Sequence, residues 1–179
     1  MRPSASYSAP LTRARLIRPA GTASPQLPPA APALEIMTDF AAETPHVVTG
    51  DRKIDEALHD MIVFGVRLLL VVRDSDVVGV ITSYDIQGER PIQFLQDPFR
   101  SAAPHRHVDV TVADVMTPIE EIRPLRYRWV VGATVGELAD HFRSSPDMHL
   151  LVAADDGTEH GVVIRGVFSR TRLERQFGA

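Results

Sequence analysis

Three side chains in "GVITSYDI" (79–86) have types and spacing that suit a nucleoside. Thr82 closes an apolar run, Ser83 follows it, and Asp85 stands one helical turn inside the next segment. A hydroxyl at a helix start can donate to a phosphate oxygen, where free amides and the helix dipole also favour an anion. A carboxylate can accept from two adjacent hydroxyls, the arrangement found in the vicinal diol of a ribose. Gly79, inside a strand, leaves room for a flat base or for another backbone. The same Thr-x-x-Asp spacing also describes a capping box, which needs no ligand. Both readings stand at this point.

A second copy of the stretch weighs on the choice. "GVFSRTRL" (166–173) repeats Gly166 and Ser169 but places Arg172 where Asp85 stood. Arg172 in a first helical turn opposes the dipole, at a cost of about 0.3–1 kcal/mol. An acid is therefore not required to start this helix, which leaves Asp85 available for another duty. The diol grip is degraded in the second copy, where Arg170, Arg172 and Arg175 form either an anion-attracting group or a solvated basic face.

The elements that carry these residues form an internal repeat. "EIMTDF" (35–40) matches "DVMTPI" (114–119), "KIDEALHDM" (53–61) matches "TVGELADHF" (134–142), and "LLVV" (69–72) matches "LLVA" (150–153). The second copy has six extra residues in the turn "DDGTEHG". Each copy reads as strand, helix, strand, strand, helix. In the first, His46 to Thr49 is a short strand and Asp51 is the expected N-cap of a helix. Ile54, Ala57, Leu58, Met61 and Ile62 give that helix one apolar face. Gly65 ends it, and "RDSD" turns one strand into the next. Pro146 ends the corresponding helix of the second copy. The expected fold is α/β: two β-α-β-β-α units packed face to face.

Residues 1–33 stand apart, with arginines at 2, 13, 15 and 18, no acid, and a Pro/Ala/Ser-rich run. They are expected to be a disordered or loosely docked arm. The first unit is then 34–96, a polar linker 97–110, and the second unit 111–178.

The 179 residues carry a net charge of -4, and no cysteine. Acidity argues against a nucleic-acid partner. The absence of cysteine excludes disulfides and thiolate sites and fits a cytoplasmic location. No apolar run approaches the roughly 18 residues of a membrane span. "HRH" (105–107) lacks a third metal ligand nearby. "RPLRYRWVV", with Tyr127 and Trp129, reads as an edge strand or packing segment. No nucleophile elbow, P-loop or acid–base pair suggests an enzyme.

The repeated Met-Thr opening, the order of elements and the Gly-x-x-Thr/Ser-x-x-Asp ending resemble the cystathionine-beta-synthase (CBS) domain as a tandem pair, a Bateman module, over about residues 34–178. The resemblance implies a non-enzymatic regulatory module whose effector is an adenosine-containing ligand: AMP, ADP, ATP, NAD or S-adenosylmethionine. It implies that Thr82 and Asp85 hold phosphate and ribose, and that the base lies against Ile36, Thr38, His46 and Val47. It further implies a homodimer, an unidentified protein partner and no required cofactor. A ligand-free dimerisation scaffold of the same fold is the alternative.

Overall fold

The computed structural model describes residues 26–97, 106–155, 157 and 161–177. Most of the arm, most of the linker and most of the "DDGTEHG" insertion lie outside them. Two four-stranded sheets, each with helices against it, make up the rest.

In the first half the apolar runs form β2 (Val47–Thr49), β3 (Leu68–Arg73) and β4 (Asp76–Thr82). The helix α1 (Ile54–Phe64) crosses between β2 and β3, which are parallel. Such a crossover needs a helix, whereas the β3–β4 hairpin needs only a tight turn. Asp74 takes a left-handed conformation there (φ 55°). Gly65 ends α1 with φ 68°, as expected. Two short helices follow, α2 (Ser83–Gln87) and α3 (Arg90–Gln96).

Two expectations for α1 need correction. Asp51 does not cap it; the cap position is Lys53, without a side-chain bond. The first amide is met instead by linker backbone, Ile54 N–H donating to Val110 O at 3.2 Å. Ile54, Ala57 and Met61 are buried, but Ile62 is 71% exposed and so leaves the apolar face.

The second half contains α4 (Val112–Val115), β5 (Thr117–Pro118), β6 (Leu125–Arg126), α5 (Tyr127–Val130), α6 (Val135–Arg143), β7 (His149–Asp155), β8 (Val162–Ser169) and α7 (Arg170–Phe177). The stretch expected as an edge strand is therefore strand for two residues and then helix, with Trp129 tilted against His141. Pro146 lies just beyond the end of α6, as expected.

The opening strands are exchanged between the repeats. β1 (Thr38–Asp39), from the first Met-Thr segment, pairs with β8 of the second repeat. β5, from the second Met-Thr segment, pairs with β4 of the first. The two glycines explain this. A Cβ on Gly79 would lie 2.6 Å from Thr117 O, and one on Gly166 would lie 2.5 Å from Thr38 O. Each glycine admits the backbone of the other copy's opening strand. Arg165 fastens β1 further, through two bonds to Asp39 at 2.7 and 2.8 Å, with its guanidinium over the Tyr127 ring.

The exchange extends to the segments before each strand. Leu27 N–H donates to Gln176 O, Ala33 N–H to Ala133 O, and Val135 N–H to Ala31 O. Ala31 and Ala33 are buried. The described end of the expected arm is thus part of the second half. Its counterpart is the end of the linker, where Val112 N–H donates to Arg52 O and Ile54 N–H to Val110 O.

Each half consequently has a mixed core. Ala33, Ile36 and Met37 pack with Leu138, Phe142, Val152 and Phe168, while Val110, Val112 and Val115 pack with Ile54, Met61, Leu69 and Ile81. A third cluster, Leu70, Val80 and Leu151 with Phe40, Ile122, Ile164 and Val167 against it, joins the two sheets face to face.

Candidate functional site

Two cavities of about 320 and 580 Å³ involve both repeats and follow the same exchange. Both volumes fall within the ~300–1,000 Å³ typical of small-molecule sites.

The smaller cavity is walled by the end of β4 and α2, by residues 117 and 121–123 of the second opening segment, and by residues 146–151. Thr82 and Asp85 both line it. The Thr82 N–H and hydroxyl donate to Asp85 Oδ2 at 2.8 and 2.7 Å, and Asp85 N–H donates to Thr82 Oγ1 at 3.2 Å. That is a complete capping box. Asp85 Oδ1 faces Arg90 Nε at 3.2 Å, with the Asp85 side chain 15% exposed. A carboxylate has about four acceptor positions. Three are used, two on Oδ2 and one on Oδ1, so accepting from both hydroxyls of a diol requires the Arg90 side chain, which is 42% exposed, to swing aside and free Oδ1.

The same box recurs where neither cavity reaches it. Thr111 N–H and Oγ1 donate to Asp114 Oδ2 at 2.8 and 2.7 Å at the start of α4. Spacing alone therefore yields a cap; position on the cavity wall distinguishes Asp85. Arg90 Nη1 also donates to Val115 O (2.8 Å) and Thr117 Oγ1 (3.0 Å), which ties this wall to the exchanged strand.

The larger cavity joins residues 38–46 and 65–70 of the first repeat to β8 and α7 of the second. Ser169 and Arg172 line it, as do Thr38 and His46. Arg172 Nη1 donates to Thr38 Oγ1 at 3.0 Å. His46 stacks on Phe64, with ring centres 4.4 Å apart. Arg170 lines neither cavity and closes the end of α6, its Nη2 donating to Phe142 O and Ser145 O at 2.6 Å each.

The structure does not bring the expected residues into one site. Thr38 and His46 belong to the larger cavity, whereas Thr82 and Asp85 belong to the smaller. Ile36 is core, 2% exposed, and Val47 is 51% exposed and borders neither cavity. Ser83 faces a separate groove between α1 and α2. Gly79 and Gly166 serve the exchanged strands and line neither cavity. In place of the expected base wall, Asp85 has Thr117, Ile122 and Arg123. The match of "DVMTPI" with "EIMTDF" was the signal for Thr117, once a glycine in each copy implied a neighbouring backbone; Ile122 and Arg123 lie beyond that motif.

His149 lines both cavities. Its Nδ1 is buried without a hydrogen-bond partner. Burial, and then the nearby Arg67 charge, push its pKa down to about 4, with Asp85 opposing. The ring is therefore neutral at physiological pH. Among the described residues, no group of His, Asp or Glu side chains is placed to hold a metal ion, and no helix is long and apolar enough to cross a membrane.

Residues 33–90 match the model of the CBS domain. The chain as a whole has the fold of a tandem CBS pair. It is similar to CBSX2 in complex with AMP at 23% identity, covering 81% of this chain and 94% of that one, with a TM-score of 0.55. It is similar to an uncharacterized conserved protein from Pyrococcus horikoshii at 23% identity, covering 82% and 92%, with a TM-score of 0.54. A candidate archaeal homologue of g-AMPK from Methanocaldococcus jannaschii is 17% identical over 84% of this chain and 48% of its own length, with a TM-score of 0.54. No curated protein matches the chain.

Proposed function

We propose that the chain is a non-enzymatic regulatory module that binds an adenosine-containing ligand in the smaller cavity and passes a change in the relation of its halves to a protein partner. The observation that carries this reading is the placement of Thr82 and Asp85 on a cavity wall shared by both repeats. Ligand binding there bears on the contact between the halves, as a coupled equilibrium requires. That a protein of the same fold is known in complex with AMP supports the ligand class. In this reading Asp85 exchanges Arg90 for the sugar, and Arg90 and Arg123 face the phosphate. Ile62 and Val63, 71% and 64% exposed on α1, supply an apolar face for pairing with a second copy.

The scaffold reading has one observation in its favour: Asp85 is already largely satisfied by Thr82 and Arg90. Thermal unfolding against AMP, ADP, ATP, NAD and S-adenosylmethionine separates the two. A ligand at 100 times its Kd stabilises by about 2.7 kcal/mol, a Tm rise of roughly 5–10 °C. The shift is expected to vanish in Asp85→Asn and to survive in Asp114→Asn, which alters the same type of cap away from both cavities. A flat response to the whole panel refutes the sensor reading in favour of the scaffold.

A further inference from the structure

Leu68 and His149 line both cavities, and no other described residue does. They hold equivalent positions in the two repeats. Leu68 stands opposite Thr82 where β3 meets β4, and His149 opposite Ser169 where β7 meets β8. The partition between the cavities is thus one leucine and one histidine. The leucine only fills space. The imidazole adds a polar atom, Nδ1, which is buried without a hydrogen-bond partner. Such an atom destabilises the ligand-free protein and gains a partner only when its surroundings change. On the larger side the charges around it are Arg67, Arg172 and Arg175 against Glu43, a net positive set. On the smaller side they are Asp85, Glu121 and Asp147 against Arg90 and Arg123, a net negative set. The other titratable side chains on the two walls are Tyr84, bonded to Arg67, and His46, stacked on Phe64. Burial and Arg67 keep the imidazole neutral, and Asp85 pulls the other way.

We propose that His149 makes the smaller cavity sensitive to acidity: an anionic ligand bound there drives this imidazole to take up a proton from solvent, so that occupancy and acidity reinforce each other. The inference rests on the adenosine reading and adds its regulation. Two changes on binding favour the imidazolium. The ligand brings negative charge beside the partition. Asp85 also gives up its ion pair with Arg90 for neutral hydroxyls, so its own charge acts on His149 undiminished. The sign follows from linkage. Without ligand the ring protonates only at about 4. With ligand it protonates at a higher pH. Affinity is therefore constant well above the ligand-bound value, tightens as pH falls through it, and gains nothing more below about 4. Histidine is the side chain that such a nudge can carry towards the physiological range. Leu68, its counterpart, has no proton to exchange, so the device belongs to one repeat only.

Two measurements on the full chain test this, with AMP and ATP as probes. In the first, NMR follows the His149 ring through a pH titration, its signal assigned as the one missing from His149→Leu. Its midpoint is expected to rise by about one unit or more when either nucleotide is bound. In the second, calorimetry gives the Kd of each nucleotide from about pH 7.5 to about pH 5. A midpoint raised by about 1.5 units makes the parent roughly fourfold tighter at the lower pH, once the change seen in His149→Leu is divided out. The nucleotide's own phosphate titrates at about 6, equally for every protein, so the division removes it. His149→Leu copies Leu68 and removes an unpaired polar atom, so it is expected to fold. His149→Gln, polar but without a titrating proton, should give the same flat ratio, which a packing effect would not. A midpoint unmoved by bound nucleotide, or pH profiles that coincide in the parent and both variants, overturns the inference and leaves the adenosine reading standing. Absence of AMP and ATP binding at every pH also overturns it, and the thermal panel then decides whether the adenosine reading falls with it.

Discussion

Gly79→Ala tests the strand exchange directly. The new Cβ would stand 2.6 Å from Thr117 O and 3.0 Å from Met116 Sδ. Real Cβ atoms do not approach backbone oxygen that closely, so β5 must shift away from β4. Forcing an extra carbon into a packed site costs about 1–3 kcal/mol. The pairing of Gly79 and Val80 with Pro118 and Thr117 weakens too, at about 0.5–1.5 kcal/mol for each backbone bond lost. The total is about 2–4 kcal/mol, or a Tm fall of roughly 4–16 °C for a chain of this size. Gly132→Ala is the control, since its nearest atom would be Trp129 O at 3.9 Å. Hydrogen exchange measured by mass spectrometry supplies the decisive readout. Gly79→Ala should speed exchange in residues 114–119, in the other repeat, and Gly166→Ala should do the same in residues 35–40. If Gly79→Ala instead loosens residues 35–40, each opening strand pairs within its own repeat and the exchange is refuted.

Three further outcomes are expected. Deleting residues 1–33 removes the buried Ala31 and Ala33 and their bonds to Val135 and Ala133, so the Tm should fall although the deleted stretch precedes the first repeat. His149 has a pKa of about 4 when folded, against 6.5 in the unfolded chain. The unfolded chain therefore takes up a proton first, and stability should drop as pH falls from 6.5 towards 4, by at most about 3 kcal/mol; His149→Leu should flatten that slope in denaturant titrations. The Arg165 bonds hold the Asp39 pKa below its ordinary 3.8. That contribution is present above 3.8 and lost as pH falls below it, so Asp39→Asn should give a shallower acid limb in the same titrations.

The order of elements was legible because strand runs and helical periodicity are local. Gly65 and Pro146 end helices by their own backbone chemistry, wherever the chain goes next. Asp51 misled because the first amide of α1 is met by Val110, 56 residues away, a contact that no local pattern records. The site was half legible for the same reason. Thr82 and Asp85 meet through adjacent bonds, and their pairing followed from spacing. Thr38 and His46 were grouped with them because the family resemblance sets the base against the opening segment and first strand, whereas both line the larger cavity with Arg172 of the other repeat. Gly79 was read as room for a base or a backbone, and the backbone took it.

The exchanged openings mean that a lone repeat is an incomplete object. Cut at residues 34–96, it would keep β4 with an empty edge beside Gly79 and an initial strand with nothing to lie on. Two identical fragments could supply each other's missing edge and rebuild both sheets. Joining two such fragments in tandem then acts as a tether, which turns a concentration-dependent assembly into an intramolecular one.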